Sequence, residues 1–268
     1  MSEEALLSRR EGGVLILSNN NVAARNALSP AFYAALTGSL RQAATDPAVG
    51  AIVLTGEGGH FCSGGDLRQL AGRRELPQAE RRERLEALHD LIRSLRDCPK
   101  PVIAAVEGAA AGAGLSLALA CDMLVAAHDA VFSVAYVKVG LTPDGGATAF
   151  LAEFLSRQLL TELCLSGDRV SGARMAELGV VNRLTETGQA LAAATTLAAT
   201  LAQGPELAMA RIKALCRHAP RNTLEEQLEL EARDMVRSQE TEESREGISA
   251  FLEKRRADFG RLRGKEER

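Results

Sequence analysis

The stretch Ala51-Ile52-Val53-Leu54-Thr55-Gly56-Glu57-Gly58-Gly59-His60-Phe61-Cys62-Ser63-Gly64-Gly65-Asp66-Leu67 reads as a buried strand, a glycine-rich turn and the opening of a helix. The run from Ala51 to Leu54, read on to Thr55, is continuously apolar up to its last residue, as expected of a strand covered on both faces. Glycines in the turn let a ligand come close to unpaired backbone N–H groups, and a helix start aims such donors at an anion or a polarised carbonyl oxygen. Taken alone, the same pattern also describes a tight strand-to-helix turn with no ligand.

The pattern repeats further along the chain. Val102 to Val106 is a second apolar run, followed by Gly108-Ala109-Ala110-Ala111-Gly112-Ala113-Gly114-Leu115-Ser116 and an apolar helix ending near Cys121-Asp122. Val14 to Leu17 and Met123 to Ala126 read as two more buried strands. Between the strands lie helical patterns: one from Ser29-Pro30 to about Thr45, with Pro at its first turn, and a charged one from about Gln78 to Arg96 before Pro99. The alternation predicts an α/β fold. The Arg- and Glu-rich segment from Arg68 to Glu86 is expected to begin as a solvated loop before helix takes over. From Leu191 onward strand signal disappears, and Leu224, Leu228, Leu230, Met235, Ile248 and Leu252 punctuate charged helices. The organisation is therefore a core over residues 1–190 and a helical region over 191–268.

Two glycine turns supply two sets of backbone donors, and two N–H groups converging on one oxygen are what an enolate formed from a thioester requires. A third turn, Val139-Gly140-Leu141-Thr142-Pro143-Asp144-Gly145-Gly146-Ala147-Thr148, places one carboxylate before another helical run. Asp144 is there either as a helix cap or as a catalytic group. The dinucleotide fingerprint is incomplete, since Leu117 stands where its third glycine belongs, and no phosphate-binding G-x-x-x-x-G-K-[ST] loop exists.

Composition narrows the classes further. A formal charge of -3 and 3% aromatics argue against a nucleic-acid surface. Five cysteines, Cys62, Cys98, Cys121, Cys164 and Cys216, are spread without metal-ligand spacing, so neither structural zinc nor a disulfide framework is expected. No apolar run reaches membrane-spanning length, and Met1-Ser2-Glu3-Glu4 lacks the basic start of a secretory signal, which makes the cytoplasm the expected compartment.

The three turns in this order, with Arg25-Asn26-Ala27-Leu28 upstream and the segment from Arg245 to Arg255 near the end, resemble the enoyl-CoA hydratase/isomerase (crotonase) superfamily over nearly the whole chain. The resemblance implies a crotonase (ClpP-like) spiral of ββα units with a helical C-terminal trimerisation region. It also implies an acyl-CoA thioester as substrate, no metal or redox cofactor, and a homotrimer or hexamer. Carried over position by position, the oxyanion amides fall at Gly65 and at Ala113, where the family usually has glycine. Arg25, Ser63, Asp66 and Leu67 match segments lining the CoA moiety, and Phe251 and Lys254 match positions that reach a neighbouring subunit's nucleotide. The two glutamates of the family's hydratases align with Ser116 and Tyr136, a small pocket liner and a wall or hydrogen-bond donor. Neither hydroxyl is a ready general base at neutral pH. Asp144 lies where enoyl-CoA isomerases resembling the phenylacetate-pathway ring-epoxide (1,2-epoxyphenylacetyl-CoA) isomerase carry their catalytic aspartate, and that subgroup shares the alanine in the second turn. The resemblance thus implies a double-bond isomerase. Its alternatives are a hydratase-like activity, a non-catalytic acyl-CoA-binding member and, more remotely, the aspartate-based aromatic dehalogenases.

Overall fold

All four apolar runs form strands, because each one is covered on both faces. A computed structural model describes residues 4–264; the first three residues of the acidic start and residues 265–268 of the helical region lie outside it. In chain order the strands are β1 (Leu6–Glu11), β2 (Val14–Asn19), β3 (Ala51–Gly56), β4 (Val102–Val106), β5 (Ala109–Ala111), β6 (Met123–Ala127), β7 (Val131–Ser133), β8 (Val170–Ser171) and β9 (Arg183–Thr185). The helices are α1 (Pro30–Thr45), α2 (Leu67–Arg73), α3 (Gln78–Asp97), α4 (Ala113–Leu119), α5 (Ala147–Leu151), α6 (Arg157–Ser166), α7 (Gly172–Glu177), α8 (Ala190–Leu201), α9 (Glu206–His218), α10 (Leu224–Gln239) and α11 (Glu242–Leu252).

Six strands form one sheet in the order β1-β2-β3-β4-β6-β9, parallel throughout except for the antiparallel edge pair β1–β2. A second, three-stranded sheet has the order β5-β7-β8. Alternation along the strands divides the apolar residues between two cores. Leu17, Ile52, Leu54, Val102, Ala104, Leu124 and Ala126 face α1, α3 and α4, where Phe32, Leu36, Leu91 and Leu95 meet them. Val14, Ile16, Val53, Ile103 and Val125 face the other way, against Ala190, Ala194 and Ala198 of α8. Alanine every fourth residue lets that helix lie close to the sheet. The helical region from Leu191 on therefore begins as a layer of the core, whereas α9–α11 add no residue to either apolar cluster, and α9 is tied to the core by the ion pairs of Glu206 with Lys100 and of Lys213 with Asp122.

The loop expected from Arg68 does not form. Helix begins at once with α2, because the Asp66 side chain accepts a hydrogen bond from the Arg68 N–H at 2.9 Å and caps it. The break comes at residues 74–77, before α3. Among the described residues no helix is long and apolar enough to cross a membrane.

Candidate active site

The two glycine turns are stitched together. The Cys62 N–H donates to the Ala109 oxygen at 2.9 Å, and the Ala111 N–H donates to the Cys62 oxygen at 3.0 Å. Such an approach leaves no room for side chains. A methyl on Gly64, whose φ is +97°, would lie 2.6 Å from the Ala111 oxygen and 3.5 Å from the Ala113 nitrogen. At the centre of this junction the N–H groups of Gly65 and Ala113 make no hydrogen bond among the described residues. Alanine is accommodated at position 113 because Gly112 takes the left-handed conformation, φ +52°, while Ala113 itself opens α4 with an ordinary backbone.

Asn26 fastens the first turn from outside. Fully buried and left-handed at φ +59°, it donates from Nδ2 to the Glu57 and His60 oxygens at 2.8 and 2.6 Å, and its Oδ1 accepts from the Asn21 N–H at 3.0 Å. Its own carbonyl accepts from Asn19 Nδ2 at 2.9 Å. Within the Arg25-Asn26-Ala27-Leu28 motif the sequence alone assigns Asn26 no role. The available signal was that Asn, among non-glycine residues, tolerates this conformation best. Arg25 is exposed, and its carbonyl accepts from the Ser63 N–H at 3.0 Å while Ser63 Oγ donates to the Ala24 oxygen at 3.0 Å. Arg25, Ser63, Asp66 and the exposed Leu67 are thus gathered around the first turn.

Asp144 does not cap the helix that follows it. The N-cap of α5 is Gly146, and no side chain bonds there. Instead the Tyr136 hydroxyl donates to Asp144 Oδ1 at 2.7 Å, and Ser116 Oγ donates to the Asp144 carbonyl at 2.9 Å. Oδ2 accepts no hydrogen bond among the described residues. Tyr136 lies in the 3-10 helix Ala135–Val139, and the left-handed Gly140 turns the chain back toward it. The Asp144 loop rests on α4: a methyl on Gly145 would stand 2.9 Å from Ser116 Cβ. Ser116 is three residues after Ala113, so the loop sits roughly 4.5 Å along the helix from the second free amide. Burial, and then the charge of Asp144, push the Tyr136 phenol well above the ordinary tyrosine range, so it holds its proton and acts as donor. Asp144 is the only carboxylate in the sequence between Asp129 and Glu153.

Tyr33 of α1, which the sequence did not single out, is half-buried. Burial raises its phenol to about 12, opposed by the charge of Arg73 and reinforced by that of Asp144. Phe251 and Lys254, at the exposed end of α11, take no part in the hydrogen bonds that assemble this site. The Cys62 thiol is fully buried beneath the junction and pushed up to about 12 by that burial, which leaves it inert as a nucleophile.

Residues 9–262 match the family described as enoyl-CoA hydratase/isomerase. The chain is 36% identical over 258 residues to the 1,2-epoxyphenylacetyl-CoA isomerase of Escherichia coli (strain K12), covering 96% of this chain and 98% of that one. It is 35% identical over 263 residues to the 2,3-dehydroadipyl-CoA hydratase of the same organism, covering 97% and 99%. The crystal structure of an enoyl-CoA hydratase from Polaromonas sp. JS666 superposes with a TM-score of 0.92 at 46% identity, covering 94% of this chain and 98% of that one.

Proposed function

Because the chain belongs to the enoyl-CoA hydratase/isomerase family of acyl-CoA enzymes, we propose that it shifts the double bond of an enoyl-CoA thioester, with Asp144 as the acid and base. The observation that carries this reading is that Asp144 is held against α4 by Ser116 and Tyr136, the positions of the family's two glutamates, with one carboxylate oxygen unengaged among the described residues. The relatives' names include both isomerase and hydratase, so the choice between them rests on these residues.

In this mechanism the thioester oxygen lies between the N–H groups of Gly65 and Ala113. Asp144 Oδ2 removes a proton from C2 of a 3-enoyl thioester, and the electron pair moves onto the oxygen as a dienolate. The two amides stabilise that charge as it develops. The same carboxyl group then returns the proton to C4, leaving the double bond between C2 and C3. No water enters and nothing is oxidised. Hydration would need a second group to activate water at the β carbon; the hydroxyls of Ser116 and Tyr136 occupy the corresponding positions and are committed as donors to Asp144. Tyr136 fixes the carboxylate so that Oδ2 faces the substrate. Arg25, Ser63, Asp66 and Leu67 line the CoA path. A homotrimer or hexamer is the assembly in which Phe251 and Lys254 reach a neighbour's nucleotide. Exposed apolar residues at helical spacing favour such association: Leu224, Leu228 and Met235 on α10, and Ile248, Phe251 and Leu252 on α11.

The test compares wild type with Asp144→Asn on a panel of 3-enoyl-CoA thioesters, including an oxepin-type thioester, with hydration of 2-enoyl-CoA run alongside. Isomerisation should fall by about 10²–10⁴-fold in the variant. Turnover of none of these substrates by wild type, with acyl-CoA still bound, would make the chain a binding protein; fast hydration would make it a hydratase.

A further inference from the structure

We propose that His60 is a positioning residue for the thioester site: its imidazole Nδ1 holds the second glycine turn where the Ala113 N–H can meet the substrate oxygen. The proposal deepens the acyl-CoA reading above and rests on it.

Successive N–H groups of β5 point to opposite sides, as in any strand. Gly112, just past its end, donates to the Ser133 oxygen of β7 at 3.0 Å, whereas Ala111 donates the other way, to the Cys62 oxygen at 3.0 Å. Ala109 is two residues before Ala111, so its N–H faces the first turn as well. A regular parallel ladder would offer it the His60 carbonyl. The pairing slips at that point: the Phe61 N–H donates to the Glu107 oxygen and the Cys62 N–H to the Ala109 oxygen, both at 2.9 Å, so one step along the first turn spans two along the second. The His60 carbonyl is turned away and accepts from Asn26 Nδ2 at 2.6 Å. Ala109 donates instead to His60 Nδ1, at 3.2 Å. The side chain thus replaces the main-chain acceptor that the slip removes.

Nδ1 accepts only when it carries no proton, so this imidazole is neutral, with its proton on Nε2. The ring is seated close against the turn: a methyl on Gly108, whose φ is +53°, would lie 2.5 Å from Nδ1 and 2.3 Å from the Gly59 oxygen. Among the described residues no other side chain accepts from an N–H of the segment Gly108 to Ala113. β5 is three residues long, and Ala109 begins it, four residues before the amide that faces the substrate. Without the imidazole the Ala109 N–H is left unpaired, and the start of the turn loses one of the bonds that hold it to Gly64 and Gly65. The amides of Gly65 and Ala113 then drift from their common oxygen.

Leucine and asparagine have nearly the same shape, but only asparagine carries an acceptor on Cγ, where His60 has Nδ1. His60→Leu and His60→Asn therefore separate the hydrogen bond from the space the ring fills. Infrared difference spectra of bound hexanoyl-CoA, isotopically labelled at its thioester carbonyl, read the pull of the two amides without turnover. Wild type and His60→Asn should lower the carbonyl stretch alike from its value in free hexanoyl-CoA. His60→Leu should lose most of that lowering while its affinity for hexanoyl-CoA, measured by calorimetry, stays within about threefold of wild type. On a 3-enoyl-CoA thioester the kcat of His60→Leu should fall by about 10–100-fold with KM little changed, and that of His60→Asn should stay within about threefold. If His60→Leu does not fold, His60→Gln, whose acceptor lies one bond further out, takes its place with the same expected loss. A full carbonyl shift in the variant without the acceptor overturns the proposal. Equal loss in that variant and in His60→Asn also overturns it, since the ring then only fills space. Wild type that binds hexanoyl-CoA with an unshifted carbonyl refutes the oxyanion site itself, and wild type that binds none refutes the acyl-CoA reading.

Discussion

Replacing Gly64 with alanine strikes the junction of the two glycine turns without touching either amide that faces the substrate. The added methyl would meet the Ala111 oxygen at 2.6 Å. Carbon–oxygen contacts settle at about 3.3–3.6 Å, so the turns must part by roughly 0.7–1 Å. The bonds joining them, 2.9 Å from Cys62 to Ala109 and 3.0 Å from Ala111 to Cys62, would stretch beyond hydrogen-bond range. Gly65 and Ala113 would then no longer converge on one oxygen. Losing one such donor lowers kcat by about 10²–10³-fold, and a misplacement of about 1 Å by about 10²-fold, so at least about 10² is expected. The φ of +97° adds strain of about 1–3 kcal/mol. The melting temperature should fall by about 2–12 °C. Steady-state isomerase kinetics and thermal unfolding measure both. Affinity for a saturated acyl-CoA should change much less than kcat, because the amides act mainly on the developing charge. A Gly64→Ala enzyme with wild-type kcat would refute the account of how the two turns make one oxyanion site. Ala113→Gly is the companion variant and should keep its activity, since Gly112 already carries the left-handed backbone.

Four further outcomes are expected. Tyr136→Phe removes the 2.7 Å bond to Asp144 and should lower kcat by about 10–100-fold with little change in KM, read from initial rates. Gly38→Ala, in the interior of α1 with nothing near the new methyl, should stabilise the fold by about 0.5–1 kcal/mol in urea unfolding. Lys100→Met breaks the buried pair with Glu206, at 2.5 Å, and should destabilise the fold by about 3 kcal/mol in the same assay. The Glu246 carboxyl is held down at about 2, first by the Arg255 guanidinium and then by the Asp258 N–H, with Arg261 adding to them. A depressed folded-state value means that its stabilisation is complete above the ordinary carboxylate range and is lost as pH falls through about 2. Glu246→Gln should therefore flatten the acid limb of stability between about pH 4.5 and pH 2.

The sequence made legible whatever was apolar on both faces or marked by glycine. β2, β3, β4 and β6 each carry an unbroken apolar run of at least four residues, and α1 announces itself by Ser29 and Pro30. β1 escaped because it is an edge strand, Leu-Leu-Ser-Arg-Arg-Glu, of which only Leu6 is buried. β5 was hidden within a glycine–alanine stretch, and β8 is two residues long. The opening of α2 was legible at Asp66-Leu67, whereas its arginines, Arg68 and Arg73, suggested a loop where the helix in fact continues. The candidate site divides in the same way. The free amides announce themselves as glycine turns, whereas the bond from Tyr136 to Asp144 depends on a chain reversal at Gly140 that no local pattern specifies.

The placement of α8 bears on how this chain leaves the ribosome. Domains fold as they are synthesised, at about 5–20 residues per second. By the time β6 emerges, most of the parallel sheet can pair, yet one face of it, Val14, Ile16, Val53, Ile103 and Val125, has no cover until residues 190–202 follow. For that interval, some seconds long, a nascent chain that already has its main sheet displays an apolar surface to every other protein nearby. Proteins truncated before α8 are trapped permanently in that condition, so aggregation rather than a smaller active core is what shortening this chain from its C-terminal side should yield.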